Sequence, residues 1–342
     1  MNDMPEQAPM EPENPATPAE GASGEVLQSA PCPADSYDLS PESNSLPGSD
    51  PQTPPLDADP LMFRQFQISE MPRQERIPNM GHLGILCVLA LCGLFLASLL
   101  ARSALYFHLF GVTTLKQAVT DIHYTLGTEG AFYLLTFGCC LIVFPMIWRK
   151  GLLEGLHWRG TTALRLRTQL MTAAALCFLL AILNGVLMPG PSNAPIDIIF
   201  RTPGAAWLLF GFGITLAPFF EEMAFRGFLL PALCTAFDWI GERATDTQPR
   251  PLDVNGHPQW SLPAMCIAAV FTSLPFALMH AEQTGYSLGP FLLLIFVSLV
   301  LCWARLSTRS LAASVLVHTT YNFLLFSLML FGTGGFRHLD KM

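Results

Sequence analysis

The chain has 342 residues, 51% of them hydrophobic and only 13% charged. That balance excludes an ordinary soluble enzyme or a nucleic-acid binder and indicates a polytopic membrane protein. The net charge of −8 hides two unlike parts: residues 1–60 hold twelve Asp and Glu and no Lys or Arg, and the remainder carries 18 basic against 14 acidic residues. The acidity belongs to a tail and says nothing about a substrate.

Met1 to about Asp59 is rich in Pro, Glu, Ser and Ala and nearly free of aromatic residues. It cannot bury enough apolar surface to offset its ordering entropy and is expected to be disordered. It lacks the basic start, apolar core and cleavage site of a signal peptide. Over 61–82 the chain turns basic and apolar together (Phe63, Arg64, Phe66, Arg73, Arg76), as a membrane-surface approach would.

A transmembrane domain is expected over 83–335, an all-α bundle of about seven helices (six to eight). The first span reads as Gly84–Leu100, and Ala104–Leu126 as an interfacial or external helix carrying Lys116 and Asp121. The second span is Gly130–Trp148, followed by a connector with Arg149, Lys150, Arg159, Arg165 and Arg167. The third is Thr168–Met188. The loop Pro189–Pro203 holds an amphipathic piece at Ile196–Phe200. The fourth begins near Gly204 and continues as far as Trp239, before the polar, Pro-rich loop Gly241–Trp260. The fifth, sixth and seventh spans are Leu262–Met279, Leu288–Trp303 and Ser310–Phe331. All six tryptophans fall at or near span ends, where amphipathic rings anchor helices at the interface. The basic connector and the basic approach place the N-terminus in the cytoplasm. Eight of the nine cysteines lie in or beside apolar runs without CxxC spacing, so they read as small hydrophobes rather than disulfides or metal ligands.

The fourth span reads GAAWLLFGFGITLAPFFEEMAFRGFLLP and carries three charges, Glu221, Glu222 and Arg226. One ionisable group at the centre of a membrane helix costs about 3 kcal/mol on insertion scales. Three within six residues need a reason, either a structural ion-pair cluster or a catalytic site. Glu222 and Arg226 are four apart and face each other on one side of the helix. Glu221 is turned about 100° away. It needs another partner, and burial without a cation makes it a usable proton acceptor. Pro218 removes a helical hydrogen bond and should bend the span there.

Two further apolar segments carry a histidine. Span five closes on Pro275-Phe276-Ala277-Leu278-Met279-His280, and span seven contains His318-Thr319-Thr320-Tyr321-Asn322, with His318 and Asn322 on one face. Each histidine alone reads more readily as a packed, hydrogen-bonded helix contact than as a catalytic group. Together, Glu, His, His and Asn from three spans suggest convergence on one internal cavity.

Glu221-Glu222-x-x-x-Arg226, Phe276-x-x-x-His280 and His318-x-x-x-Asn322 together resemble the three-motif signature of the CPBP intramembrane proteases. That group includes type II CAAX prenyl endopeptidases, lysostaphin-resistance-protein-A-like proteins and bacterial Abi proteins. The resemblance covers the core, about 204–325, and not residues 1–80. It implies an intramembrane endopeptidase, integral to a bacterial inner (plasma) membrane, acting on membrane-protein or lipidated-peptide substrates. It further implies that Glu221 and His280 activate a water, that His318 and Asn322 bind the developing oxyanion, and that Glu222, Arg226 and Phe276 are structural. No cofactor is favoured. A metalloprotease version, with zinc held by Glu221, His280 and His318, is the second choice, because the amide of Asn322 is a poor zinc ligand and a good oxyanion donor. No HExxH occurs, and no predicted span holds a GxSG serine or a GxGD aspartate. A proton-coupled transporter and a non-catalytic membrane chaperone are the readings from other classes, and no repeat of broken helices favours the transporter.

Because residues 1–59 lack the apolar content of a core, their deletion is expected to leave the detergent melting temperature of the membrane domain unchanged. A thermal melt of the truncated protein checks this, and a marked fall would contradict it.

Overall fold

The computed structural model describes residues 76–188, 204–253 and 256–336. The expected tail, most of the surface approach and the loop Pro189–Pro203 lie outside the described residues. Among those described there is no strand, and seven helices are long and apolar enough to cross a membrane. The chain is an integral membrane protein of all-α architecture.

The first span, α1 (Met80–Tyr106), starts where the Asn79 side chain accepts from the backbone N–H of Gly81 and His82 and His82 returns a bond to Asn79. After a 3₁₀ turn (Leu109–Gly111) and the short α2 (Leu115–Thr120), α3 runs from Ile122 to Trp148. The single helix expected over Ala104–Leu126 is therefore divided among four elements: the end of α1, the 3₁₀ turn, α2 and the start of α3. The reason is local. Asp121 caps α3 by accepting from the N–H of His123 and Tyr124, so that span begins about two turns earlier than its apolar content suggests.

Two short helices, α4 (Leu152–Gly155) and α5 (Gly160–Arg165), lie in the basic connector and lead into α6 (Arg167–Leu187). The fourth span occupies 205–244 in several pieces, described below. Span five is α10 (Leu262–Met279), started by the Ser261 hydroxyl accepting from Ala264 N–H. Spans six and seven are α11 (Leu288–Thr308) and α12 (Leu311–Gly332). Tryptophan placement follows the interfacial expectation at Trp148, the last residue of α3, and at Trp158 and Trp260 in connectors.

Three clusters hold the bundle. Leu170, Ala174 and Cys177 of α6 pack on Val297, Leu301 and Ala304 of α11 and on Ala313, Val317 and Tyr321 of α12. Small residues at these contacts let the backbones approach, which matters where lipid supplies no hydrophobic drive between helices. Phe144 of α3 packs with Phe220 and Phe228 of span four and with Leu152 and Leu156 of the connector. Leu230 and Cys234 meet Ala268 and Cys302. On one membrane face, the buried Asp238 carboxylate accepts from Arg76 at 3.1 Å, Arg250 at 3.1 Å and Ser261 N–H at 3.1 Å. That one group ties the entry to α1 and the loop after span four to the same helix end. The eight described cysteines are all free thiols.

Helices α1 and α3 come close at Gly93, where an added Cβ would sit 2.3 Å from Thr136 Oγ1. Gly93→Val is therefore expected to lower stability by about 1–3 kcal/mol, the usual cost of overpacking. Gly84→Ala, on the same helix with nothing within 4 Å, should leave melting unchanged. Detergent melting of the two variants decides it.

Candidate active site

Span four is not one helix. α7 (Ala205–Ile214) stops at Thr215, whose φ of −123° and ψ of −80° are not helical. α8 (Leu216–Glu222) then leads directly into a π-helical turn, Met223–Leu229, and the span finishes as α9 (Leu230–Ala244). The bend expected at Pro218 falls three residues upstream. Pro218 has no N–H to give the carbonyl of Ile214, and its ring crowds that carbonyl, so the preceding turn yields. The π-helical turn has no signature in the apolar pattern. Such wide turns are rare and concentrate at functional sites. Here the turn begins immediately after the two glutamates and carries Arg226.

Arg226 is the largest fully buried side chain among the described residues. Its Nη1 donates to Glu222 Oε1 at 2.8 Å, and its Nη2 donates to Ser298 Oγ at 2.6 Å and to Ser298 O at 3.0 Å. The guanidinium also lies over the Phe276 ring, 4.6 Å from its centroid, in a cation–π contact. Glu222 has a second partner: His318 Nδ1 donates to the same Oε1 at 2.9 Å. The i,i+4 pair anticipated from helical spacing thus exists and does more than neutralise itself. It orients a histidine from span seven.

Glu221 points away from this pair, as its position one residue on dictates. Its Oε2 lies 3.8 Å from Nε2 of His280 and 3.8 Å from Nε2 of His318. His280 is the C-cap of α10, and its Nδ1 donates to the Phe276 carbonyl at 2.8 Å. A carbonyl only accepts, so Nδ1 carries the proton. In the neutral imidazole the lone pair then sits on Nε2, which faces Glu221. Phe276 fills the space behind, with its ring centroid 4.8 Å from His280 and 5.9 Å from His318. One carboxylate and two imidazoles, from three spans, converge.

Asn322 lies one turn beyond His318 on α12. Its Nδ2 donates to the carbonyl of Gly213 at 2.8 Å. Gly213 is in the last turn of α7, where carbonyls lose their helical partners, so the amide occupies an acceptor released by the break at Thr215. One of its two N–H groups is committed there.

Two contributions escape sequence reading. Ser298, in the apolar span six, accepts from Arg226 Nη2, and a lone serine in such a run gives no signal of its own. Glu129 on α3 accepts from Tyr133 OH at 2.9 Å, and the Tyr133 ring stacks on Phe220, the residue before Glu221. Its signal was present, a carboxylate at the start of an apolar run, but it fell one residue before the span boundary drawn at Gly130.

Both histidines direct Nδ1–H at an acceptor and leave Nε2 toward Glu221, the orientation that supporting hydrogen bonds give to metal-ligating imidazoles. In orientation the donor set suits zinc. In spacing it does not: among the described residues no three His, Cys, Asp or Glu side chains are placed to hold an ion together.

Glu222→Gln would leave Arg226 buried without its counter-charge and His318 without its carboxylate. It is expected to destabilise the protein by about 3–5 kcal/mol. Glu221→Gln, which keeps shape and breaks no buried ion pair, should melt as wild type does. Parallel detergent melts separate the two, and equal melting of both variants would reject the division of labour.

Residues 203–324 match the family described as type II CAAX prenyl endopeptidase Rce1-like, a segment covering about a third of the chain. The match coincides with the stretch that carries all three motifs and supports their resemblance to the CPBP proteases. Comparisons with curated proteins and with solved structures returned no match.

Proposed function

We propose, taking the type II CAAX prenyl endopeptidase match as the premise, that this protein is an intramembrane endopeptidase in which Glu221 and His280 activate a water for attack on a peptide carbonyl. The observation that carries the proposal is the meeting of Glu221 Oε2 with two imidazole Nε2 atoms, each at 3.8 Å, from separate spans. Two acceptors at that separation are spaced for a water that donates a hydrogen to each. The water oxygen attacks the carbonyl, one acceptor takes its proton, and that proton passes to the leaving amine.

His318 and Asn322 serve the developing oxyanion. Asn322 retains one N–H beyond its bond to Gly213. His318 is fixed by its Nδ1–H bond to Glu222 with Nε2 directed at the same space, so it donates to the oxyanion through Nε2 once it has taken the water's proton. Glu222, Arg226, Ser298 and Phe276 hold these groups in register.

The substrate class is a membrane protein or lipidated peptide whose scissile bond reaches the interior of the bundle. Prenylated C-termini, secretion leader peptides and other membrane proteins all meet that description. The basic connector after span two, with Arg149, Lys150, Arg159, Arg165 and Arg167, supports a cytoplasmic N-terminus. Zinc bound by Glu221, His280 and His318 is the second reading, favoured by the Nδ1 hydrogen bonds alone.

The experiment compares membrane proteomes of cells carrying wild-type protein and Glu221→Gln, followed by cleavage of the accumulating species by purified protein. Glu221→Gln is expected to lower turnover by about 10²–10⁴-fold, and Asn322→Ala by about 10²–10³-fold with little change in substrate binding. Cleavage should survive exhaustive chelation. Loss of activity on chelation with recovery on added zinc would overturn the metal-free mechanism and make Glu221 a ligand. Unaltered turnover in Glu221→Gln would overturn the proposal itself.

A further inference from the structure

With seven consecutive spans, the connectors after the second, fourth and sixth emerge on one membrane face. There they enclose a cavity of about 320 Å³ lined by His157, Arg250, His257, Trp260, Arg305 and Arg309. None of these residues belongs to the site described above.

Two of the three arginines are neutralised. Arg309 pairs with Asp253, and Arg250 Nη1 with Asp238 Oδ1 at 3.1 Å. Both are half-exposed and stand at the rim. Arg305 is different. It is 3% exposed, and among the described residues no carboxylate lies within ion-pair distance. Its contacts are neutral acceptors: Arg226 O at 3.2 Å from Nε, and Leu156 O and His157 Nδ1 at 3.4 Å from Nη2. A buried guanidinium without an anion is costly, because nothing offsets its desolvation.

The second anomaly is His257. It is 7% exposed, and neither ring nitrogen has a hydrogen-bond partner among the described residues, although buried polar groups are nearly always paired. Its ring stands edge-on to His157, with the centroids 4.3 Å apart. Burial first, then the charge of Arg305, pushes His157 down to about 3. His157 is therefore neutral and accepts from Arg305 through Nδ1, leaving its proton on Nε2. The cavity thus combines one uncompensated cation, two imidazoles each able to donate an N–H, and two further arginines at its rim.

We propose that this cavity binds a phosphate group, held by Arg305, His257 and His157 and closed over by Arg250 and Arg309. The donors come from separate chain segments and surround a volume, which suits a tetrahedral oxyanion better than a planar carboxylate. Two sources share that chemistry: soluble phosphate, and the headgroup of an anionic phospholipid, for which Trp260 at the edge marks interfacial depth. Because Arg305 Nε also holds the carbonyl of Arg226, a bound anion is one residue removed from the turn that supports the candidate catalytic groups.

The test uses the full-length protein in two preparations. In neutral detergent and phosphate-free buffer, inorganic phosphate is titrated calorimetrically. In nanodiscs, retention of phosphatidylglycerol over phosphatidylcholine is read by native mass spectrometry. Saturable binding is expected with at least one probe, weakened roughly 10–100-fold in His257→Ala and in Arg305→Gln, as loss of a hydrogen bond to a charged group implies. His257→Ala breaks no side-chain hydrogen bond of the fold, so it carries the test even if Arg305→Gln misfolds. Phosphate binding assigns a soluble ligand, and phosphatidylglycerol retention that His257→Ala removes assigns a lipid headgroup. Absence of saturable binding with both probes, or binding unchanged in His257→Ala, overturns the proposal. Neither readout depends on proteolysis, so failure here leaves the endopeptidase reading standing.

Discussion

A charge inside a membrane bundle must bring its own partners, and the Glu222–Arg226 pair is where this protein meets that demand. Both side chains are completely buried, and their 2.8 Å contact is the fixed point for four spans. Ser298 of span six, Phe276 of span five and His318 of span seven all approach this pair, because a desolvated ion pair needs further partners to offset its lost solvation; among the described residues Glu222 Oε2 and Arg226 Nε still have none. Span four supplies the charges, and the other three supply what lets them stay.

That arrangement leaves the neighbouring carboxylate without a cation of its own. Glu221 cannot share the arginine, because adjacent residues on a helix face different ways. It is left with two imidazole nitrogens instead of a cation. Each imidazole is fixed from behind, His280 by the Phe276 carbonyl and His318 by Glu222. The two glutamates thus have different surroundings. Glu221 faces two imidazoles, and Glu222 aligns one of them. The ion-pair cluster and the candidate catalytic groups are parts of one assembly.

The backbone is irregular at the same place. The break at Thr215 and the π-helical turn from Met223 to Leu229 bracket the two glutamates, and each leaves helical groups in need of other partners. Asn322 meets one such need at Gly213, and Arg305 bonds the carbonyl of Arg226. Irregular backbone at membrane depth is tolerated where protein supplies these bonds, and the same requirement fixes spans six and seven against span four.

The apolar runs and their tryptophan ends determined the seven spans, because membrane thickness sets helix length independently of how helices pack. Helical spacing alone also fixed the Glu222–Arg226 pair and the separate direction of Glu221. Long-range partners were not legible. That His318 serves Glu222 as well as facing Glu221, that Ser298 accepts from Arg226, and that Asn322 holds Gly213 depend on which helices touch, and lipid-facing and bundle-facing residues look alike in an all-apolar span. The early start of α3, and with it Glu129, was hidden because a cap at Asp121 and not hydrophobicity decides that boundary. The π-helical turn was hidden for a related reason: the sequence fixes which residues carry charge, but only tertiary contacts decide where a helix widens to let them meet.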